Sequence, residues 1–315
     1  MAEVLLLACE RERELFAQLT YPRFVRCLTE AGWPIVAIGA VAGGRPIGLA
    51  LVLLTGVTGR LLSLNVEPVW RQRGLGTALL AACESALALR GAIEIVATHS
   101  SRTVARAAFE RTLAAARWEP TELTGLRVNA RCGPLLEAVG GWPSMHRLLA
   151  QREYRYAPWT DPDQDDREAI EQLCRQQPCR DCPALTPKMW PDPIESTTSL
   201  VLRRGKRLVG WVISERQYEP ESTTPSIHYT AAYADMVLWH TAIMMAAYYH
   251  AFMRQAAAFG PTSVARFETP RSMAGMFALI RRRLAPLALS ADQIFVTRRR
   301  LNGSEADPGP ARRAV

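Results

Sequence analysis

Residues 64–80 read LNVEPVWRQRGLGTALL, and this stretch decides the fold. Its apolar start predicts a strand that ends at Val66, and the spacing of apolar residues from Gly76 to Leu89 predicts an amphipathic helix. A short basic loop with two glycines joins the two elements. Because the N–H groups of such a loop and the positive end of the helix face one point, the stretch predicts an anion-binding site.

Two common phosphate-binding loops do not match this stretch. A P-loop has more residues between strand and helix and ends in Gly-Lys-Ser/Thr, and the Rossmann fingerprint has a third glycine where Leu79 stands. The glycine pair alone would favour a plain strand–helix turn with surface arginines. The specific signal therefore lies in the whole string.

The string resembles motif A of the GCN5-related N-acetyltransferases (the GNAT superfamily), V-x-P-x-x-[RQ]-x-x-G-x-[GA], at Val66, Pro68, Arg71, Gly74 and Gly76. The resemblance implies that acetyl-CoA binds as a co-substrate. Its pyrophosphate would lie in the loop, and its pantetheine arm would lie where the strand diverges from a parallel neighbour. The cofactor-binding residues implied are Leu64, Asn65 and Val66 for the arm and Gln72, Arg73, Gly74, Leu75, Gly76 and Thr77 for the pyrophosphate.

Acyl transfer to an amine calls for a proton acceptor, because a lysine-like amine with a pKa of ~10.4 is almost fully protonated at neutral pH. By resemblance the first candidate is Glu67, at the end of the cofactor strand, and a solvated turn charge is an equally good interpretation. His99, at the end of the next predicted strand, is the second candidate. A histidine there is more often a hydrogen-bonded structural residue.

The family often supplies an acid to the departing thiolate from a tyrosine in the following helix, and Phe109 stands at that position here. The acid therefore comes from elsewhere, or none is used. Tyr154 and Tyr156 are possible replacements, and ordinary strand aromatics are the plainer interpretation.

Strand-like and helix-like segments alternate along the first half of the chain. The predicted strands cover residues 4–9, 35–41, 47–54, 61–66, 93–98, 123–130 and 145–151, and the predicted helices lie within 11–30, 76–89 and 103–116. Antiparallel hairpins followed by a strand–helix–strand crossover predict a mixed α/β fold.

The pattern begins again after a Pro- and Asp-rich segment near residue 160. Residues 205–213 echo residues 43–51, which predicts an internal repeat of about 160 residues. The predicted architecture is two tandem GNAT-like domains, each a mixed, mostly antiparallel sheet flanked by helices. Residues 1–155 form the domain with the acetyl-CoA motif, 156–301 a degenerate copy whose segment 231–242 lacks the glycine pair, and 302–315 a disordered tail.

Composition is that of a globular protein, with 49% hydrophobic and 22% charged residues. The net charge of +8 attracts anions, but the arginines are mostly scattered, so nucleic acid is an unlikely partner. The start has no basic leader and no apolar run reaches ~20 residues, which predicts a cytoplasmic protein without a membrane partner. Cys174, Cys179 and Cys182 lack a fourth ligand, so no metal is expected.

These observations predict an acetyl-CoA (or short acyl-CoA) dependent N-acyltransferase that moves the acyl group directly to an amine of a small molecule, peptide or protein. The alternative is a catalytically weak acyl-CoA-binding regulatory or scaffold protein, which the phenylalanine at position 109 favours. The sequence leaves the acceptor, the acyl-chain length and the oligomeric state open.

Overall fold

A computed structural model describes residues 2–149, 153–159, 163–176, 185–187, 194–217, 225–238 and 243–301. The predicted disordered tail, and Cys179 and Cys182 of the cysteine cluster, lie outside these residues. Among the residues described, every helix is too short or too polar to span a bilayer. The same residues contain no group of three His, Cys, Asp or Glu side chains placed to hold a metal ion.

The chain alternates strands and helices, which confirms the predicted mixed α/β class. Up to residue 131 the elements are β1 (Glu3–Leu6), α1 (Glu10–Glu14), α2 (Pro22–Thr29), β2 (Ile35–Ala42), β3 (Arg45–Thr55), β4 (Thr58–Val66), α3 (Leu75–Ala88), β5 (Glu94–Ser100), α4 (Arg106–Ala115) and β6 (Glu122–Arg131). Then follow α5 (Cys132–Gly140), α6 (Pro143–Leu149), β7 (Tyr154–Pro158), α7 (Gln164–Cys174), β8 (Leu200–Arg204), β9 (Arg207–Gln217), β10 (Ser226–Ala234), α8 (Ile243–Phe259), β11 (Val264–Pro270), α9 (Ala274–Leu279) and β12 (Ser290–Arg300).

One predicted strand is wrong. Residues 145–149, expected to close the first sheet, belong to helix α6. Pro143 is the first residue of that helix, a position that a proline favours because its fixed φ suits the helix and its missing N–H costs nothing there.

The described residues group into two compact units, one from residues 2–124 with 294–301 and one from within Gly125–Gln293. The first unit takes its last strand from the C-terminal part of the chain, since β12 pairs with β5 from Ile294↔Ser100 to Arg300↔Glu94. In the second unit, β6 pairs with β11. Each unit therefore includes one strand from the other half of the chain. The domain boundary at residue 155 stays a prediction.

The first unit has a mostly antiparallel sheet with one parallel pair. Strands β1 to β4 pair in sequence order as antiparallel neighbours, and β4 then pairs with β5 in parallel. Helix α3 crosses between the parallel strands and buries Leu79, Leu80 and Cys83 against them. Each fully buried leucine contributes ~1.5–3 kcal/mol, so this face holds the start of α3 firmly beside the end of β4.

The second unit repeats this plan, which confirms the internal repeat. Strands β8, β9 and β10 pair as an antiparallel meander, and β10 pairs in parallel with β11 after the crossover helix α8. The turn between β8 and β9 uses Gly205 at a φ of 62°, where the turn between β2 and β3 uses Gly43 and Gly44 at 55° and 75°.

A half-buried histidine in the second unit lies among charged side chains. His228 on β10 contacts Gln217, and its charged neighbours are Glu268, Arg266 and Arg127. Burial lowers the pKa of His228, with the two arginines acting in the same direction and Glu268 opposing them. The folded protein therefore holds this histidine neutral.

We expect acid to destabilise the protein through His228. As the pH falls below ~6.5, the unfolded chain takes up the proton before the folded chain does, so the free energy of unfolding drops by at most ~1.4 kcal/mol per pH unit. Thermal unfolding of the wild type and His228→Gln between pH 7.5 and 5 tests this. The variant should lose less stability over that range, and equal losses would contradict the assignment.

Candidate active site

The parallel pair in the first unit opens towards the carboxyl ends of its strands. Strand β4 pairs with β5 only from Thr58↔Glu94 to Leu61↔Ala97, while its antiparallel pairing with β3 continues to Val66. Within the described chain, the β5-facing edge of residues 62–66 has no strand partner. This edge includes Leu64, Asn65 and Val66, the residues predicted to contact the pantetheine arm.

A β-bulge accompanies the opening. The register with β3 passes from Val52↔Leu61 to Leu51↔Ser63, so Leu62 is an extra residue without a cross-strand partner. A bulge bends its strand and increases its local twist. The strand therefore leaves its parallel neighbour where the bulge occurs, which leaves a wedge open to an extended ligand.

The loop after β4 contains two residues in the left-handed backbone region. Pro68–Trp70 form one turn of 3-10 helix, and Gln72 and Gly74 then take positive φ angles of 61° and 76°. A positive φ is uncommon for a glutamine and costs on the order of 1–3 kcal/mol. Strain of this kind is typical of ligand-binding loops.

Six consecutive N–H groups, from Gln72 to Thr77, donate to no acceptor in the part of the chain that the structure describes. The first helical bond of α3 runs from the Ala78 N–H to the Gly74 carbonyl. The loop residues Gln72, Arg73 and Gly74 are exposed. The loop and the helix N-terminus thus present a row of free donors, the arrangement that binds a phosphate or pyrophosphate.

The two glycines of the motif serve different purposes. A Cβ atom on Gly74 would meet nothing within 4 Å, so this residue is needed for its left-handed backbone conformation. A Cβ atom on Gly76 would lie 3.0 Å from Cγ2 of Thr112, so this residue lets α3 approach α4 closely. Within the chain itself, Gly74 thus has a conformational role and Gly76 a packing role.

The loop arginines fold back onto their own segment. The Arg71 Nε donates to the Val66 carbonyl at 2.8 Å, and the Arg73 guanidinium lies 5.3 Å from the ring centre of Trp70. Both side chains are exposed. They place positive charge beside the row of free N–H groups.

Glu67 follows the last residue of β4, and its carboxylate is tied down. The Arg45 Nη2 donates to its Oε1 at 2.7 Å, and the Glu67 side chain is only 17% exposed. The interpretation as a freely solvated turn charge does not fit this geometry.

His99 lies at the end of β5, beyond the last residue pair with β4, and its side chain is buried. Its Nε2 is 2.9 Å from Oε1 of Glu110, an oxygen that also accepts from the Arg106 Nε at 2.8 Å. The hydrogen bonds from Arg106 and from His99 lower the pKa of Glu110. The Nδ1 of His99 is buried and has no partner among the described residues.

Two phenylalanines enclose this histidine. Phe109, at the position of the family tyrosine, contacts the ring edge-on at 5.4 Å, and Phe295 of β12 stacks on it at 5.5 Å. Tyr154 and Tyr156, the other candidate acids, lie on β7 of the second unit, where Tyr156 stacks on His250.

The partners of these residues cannot be predicted from the motif. Arg45 stands 22 positions before Glu67 and opens a different strand, and Thr112 meets Gly76 only because α4 packs on α3. Glu110 and Arg106 could have been noticed, since an i,i+4 acid–base pair on one helix is a recognisable signal.

Comparison with known proteins agrees with this geometry. Residues 3–114 match the acetyltransferase (GNAT) family model. A tandem GNAT protein from the clavulanic acid biosynthesis pathway has a TM-score of 0.61 at 13% identity, over 97% of this chain and 100% of that protein. A GCN5-related N-acetyltransferase from Sphaerobacter thermophilus has a TM-score of 0.57 at 15% identity, over 95% and 96%.

A third similar structure is a GCN5-related glucosamine N-acetyltransferase region of a fungal multi-domain β-N-acetylglucosaminidase, with a TM-score of 0.66 at 10% identity. It covers 94% of this chain and 38% of that protein. No curated protein sequence matches the chain. At these identities the similar structures establish the fold, and the acceptor has to be argued from the site.

Proposed function

We propose that the chain is an acyl-CoA-dependent N-acyltransferase of the GNAT superfamily, because residues 3–114 match the acetyltransferase (GNAT) family model and the chain shares the fold of a tandem GNAT protein. Its acceptor is an amine of a small molecule, peptide or protein, and it acts in the cytoplasm. Acetyl-CoA or a short acyl-CoA is the co-substrate, and no metal takes part.

One observation carries the proposal, the row of free N–H groups from Gln72 to Thr77 beside the wedge between β4 and β5. Hydrogen bonds to a charged group contribute ~1.5–3 kcal/mol each, so a few of them hold a pyrophosphate. The wedge then takes an extended arm with amide groups, which can pair with the free edge of β4. Together they direct a thioester towards the strand ends.

When bound, the acyl-CoA supplies an activated acyl group. The reaction forms a C–N bond to the acceptor amine and breaks the C–S bond, and the amine loses one proton. The chain's part is to orient the thioester through the loop and the wedge and to provide a proton acceptor. With a thiol pKa of ~8.5, the departing thiolate is stable enough to leave without an obligatory acid.

His99 suits proton transfer through its unpartnered Nδ1, and the contact of Nε2 with Glu110 fixes the orientation of the ring. Glu67 would have to accept a proton on a carboxylate that already accepts from Arg45. Phe109 offers no acid to the thiolate, so we propose that the reaction proceeds without one at that position.

The alternative function is a binding protein that retains the CoA site and has lost efficient chemistry. The enclosure of His99 by two phenylalanines favours it, because a sealed histidine exchanges protons slowly with a substrate. The two functions predict the same affinity for CoA and differ in turnover.

Calorimetry with CoA, followed by a free-thiol release assay with acetyl-CoA and a panel of amines, tests the proposal. We expect micromolar binding and release of thiol that depends on one class of amine. Binding without turnover for any amine would favour the regulatory or scaffold protein, and lack of CoA binding would refute both.

A further inference from the structure

The ion pair of Glu67 recurs in the second unit. Arg45 is the first residue of β3 and Glu67 follows the last residue of β4, with Nη2 and Oε1 at 2.7 Å. In the second unit, Arg207 is the first residue of β9 and Asp235 follows the last residue of β10, with Nη2 and Oδ2 at 3.8 Å. The same charges therefore stand at corresponding places in both copies.

The backbone around the two acids is the same as well. The Glu67 N–H donates to the Ile47 carbonyl at 2.9 Å, and the Asp235 N–H donates to the Val209 carbonyl at 2.8 Å. Each acid is followed by one turn of 3-10 helix, Pro68–Trp70 and Met236–Leu238.

The burial of the two acids is also alike. The Glu67 side chain is 17% exposed and that of Asp235 is 15% exposed, whereas each arginine is mostly exposed. The two ion pairs are one feature of the fold that occurs twice.

The second copy lacks the residues that make the first an anion site. Where the first unit has Gly74 and Gly76, the corresponding residues of the second are Ala242 and Met244. A residue that served only as proton acceptor would lose its purpose in a copy without the cofactor loop. A residue that fixes the backbone where the strand ends would still have a purpose in that copy, because both copies make the same turn there.

We propose that Glu67 is a positioning residue, which ties the start of the cofactor loop to the β2–β3 hairpin through Arg45, and that it is not the proton acceptor of the reaction. The pair holds residue 67 against the first residue of strand β3, so the loop begins from a fixed point and its N–H groups stay aligned. This inference rests on the proposed function, because it assigns a role within that site.

The test compares Glu67→Gln, Arg45→Gln and the double variant with Asp235→Asn, the matched change in the second unit. The measurements are CoA affinity by calorimetry, the pH profile of kcat, and thermal unfolding. We expect each first-unit variant to weaken CoA binding by about three- to fivefold, as for the loss of a partly exposed ion pair. The double variant should be no weaker than either single variant, and Asp235→Asn should leave CoA affinity unchanged.

The pH profile separates a positioning role from a basic one. If Glu67 has a positioning role, Glu67→Gln leaves the ascending limb of the kcat–pH profile at the same pH. His99→Gln removes that limb or moves it to another pH. A drop in kcat of about 100-fold for Glu67→Gln with a flattened limb and unchanged CoA affinity would overturn the inference.

Lack of CoA binding by the wild type would instead refute the proposed function. The coupling of Arg45 and Glu67 in thermal unfolding would then still decide whether the pair fastens the turn, and additive effects would refute that.

Discussion

Replacing Gly74 with valine should weaken CoA binding by about 100-fold or more. The residue has a φ of 76°. At this angle the conformational free energy of a β-branched residue is well above that of an asparagine. The loop will therefore relax to another conformation and turn its N–H groups away from a common point. Loss of one or two hydrogen bonds to a charged group, at ~1.5–3 kcal/mol each, accounts for that factor.

Gly56 provides the matched control. It lies in the turn between β3 and β4, has a φ of 58°, and a Cβ atom there would also meet nothing within 4 Å. Gly56→Val therefore introduces the same kind of strain away from the loop. We expect it to lower the melting temperature and to leave the CoA affinity measured by calorimetry intact. A similar loss of affinity in both variants would mean that the Gly74 loop is not the binding element.

Replacing Gly76 with alanine should lower the free energy of unfolding by ~1–3 kcal/mol, the cost of overpacking a closely packed contact. The new methyl group would lie 3.0 Å from Cγ2 of Thr112, so the Thr112 side chain or the helix that carries it has to yield by a few tenths of an ångström. CoA binding should weaken as well, since the start of α3 carries three of the free N–H groups. Denaturant unfolding and calorimetry measure the two effects.

A second substitution distinguishes packing from ligand contact at Gly76. Thr112→Ser removes Cγ2 and keeps the hydroxyl that donates to the Ala108 carbonyl at 2.9 Å. We expect Gly76→Ala combined with Thr112→Ser to regain most of the lost stability and affinity. If affinity stays low while stability returns, packing explains the loss of stability alone, and Gly76 faces the ligand.

The loop and its neighbouring elements follow from the sequence because their causes are local. The motif predicts that β4 ends at Val66 and that a helix begins at about Gly76; β4 does end at Val66, and α3 begins one residue earlier, at Leu75. Local chemistry also explains why the helix over residues 143–149 was missed: its apolar residues fit a strand pattern, and only Pro143 signals the helix start.

The contacts that give the site residues their roles are not local. The interpretation of Glu67 depends on Arg45, and that of His99 depends on Glu110 and on Phe295, nearly 200 positions away in the chain. The sequence ranks Glu67 before His99 as proton acceptor by resemblance alone, because the partner that each side chain meets cannot be read from the motif.

The placement of β12 beside β5 has a consequence for biosynthesis. The half of the chain that carries the loop after β4 leaves the ribosome first, yet the sheet of the first unit lacks the strand beside β5 until residues 294–300 have emerged. At roughly 5–20 residues per second, that wait lasts about ten seconds or more. During this time one edge of β5 has no strand partner, and an unpaired strand edge is prone to aggregation.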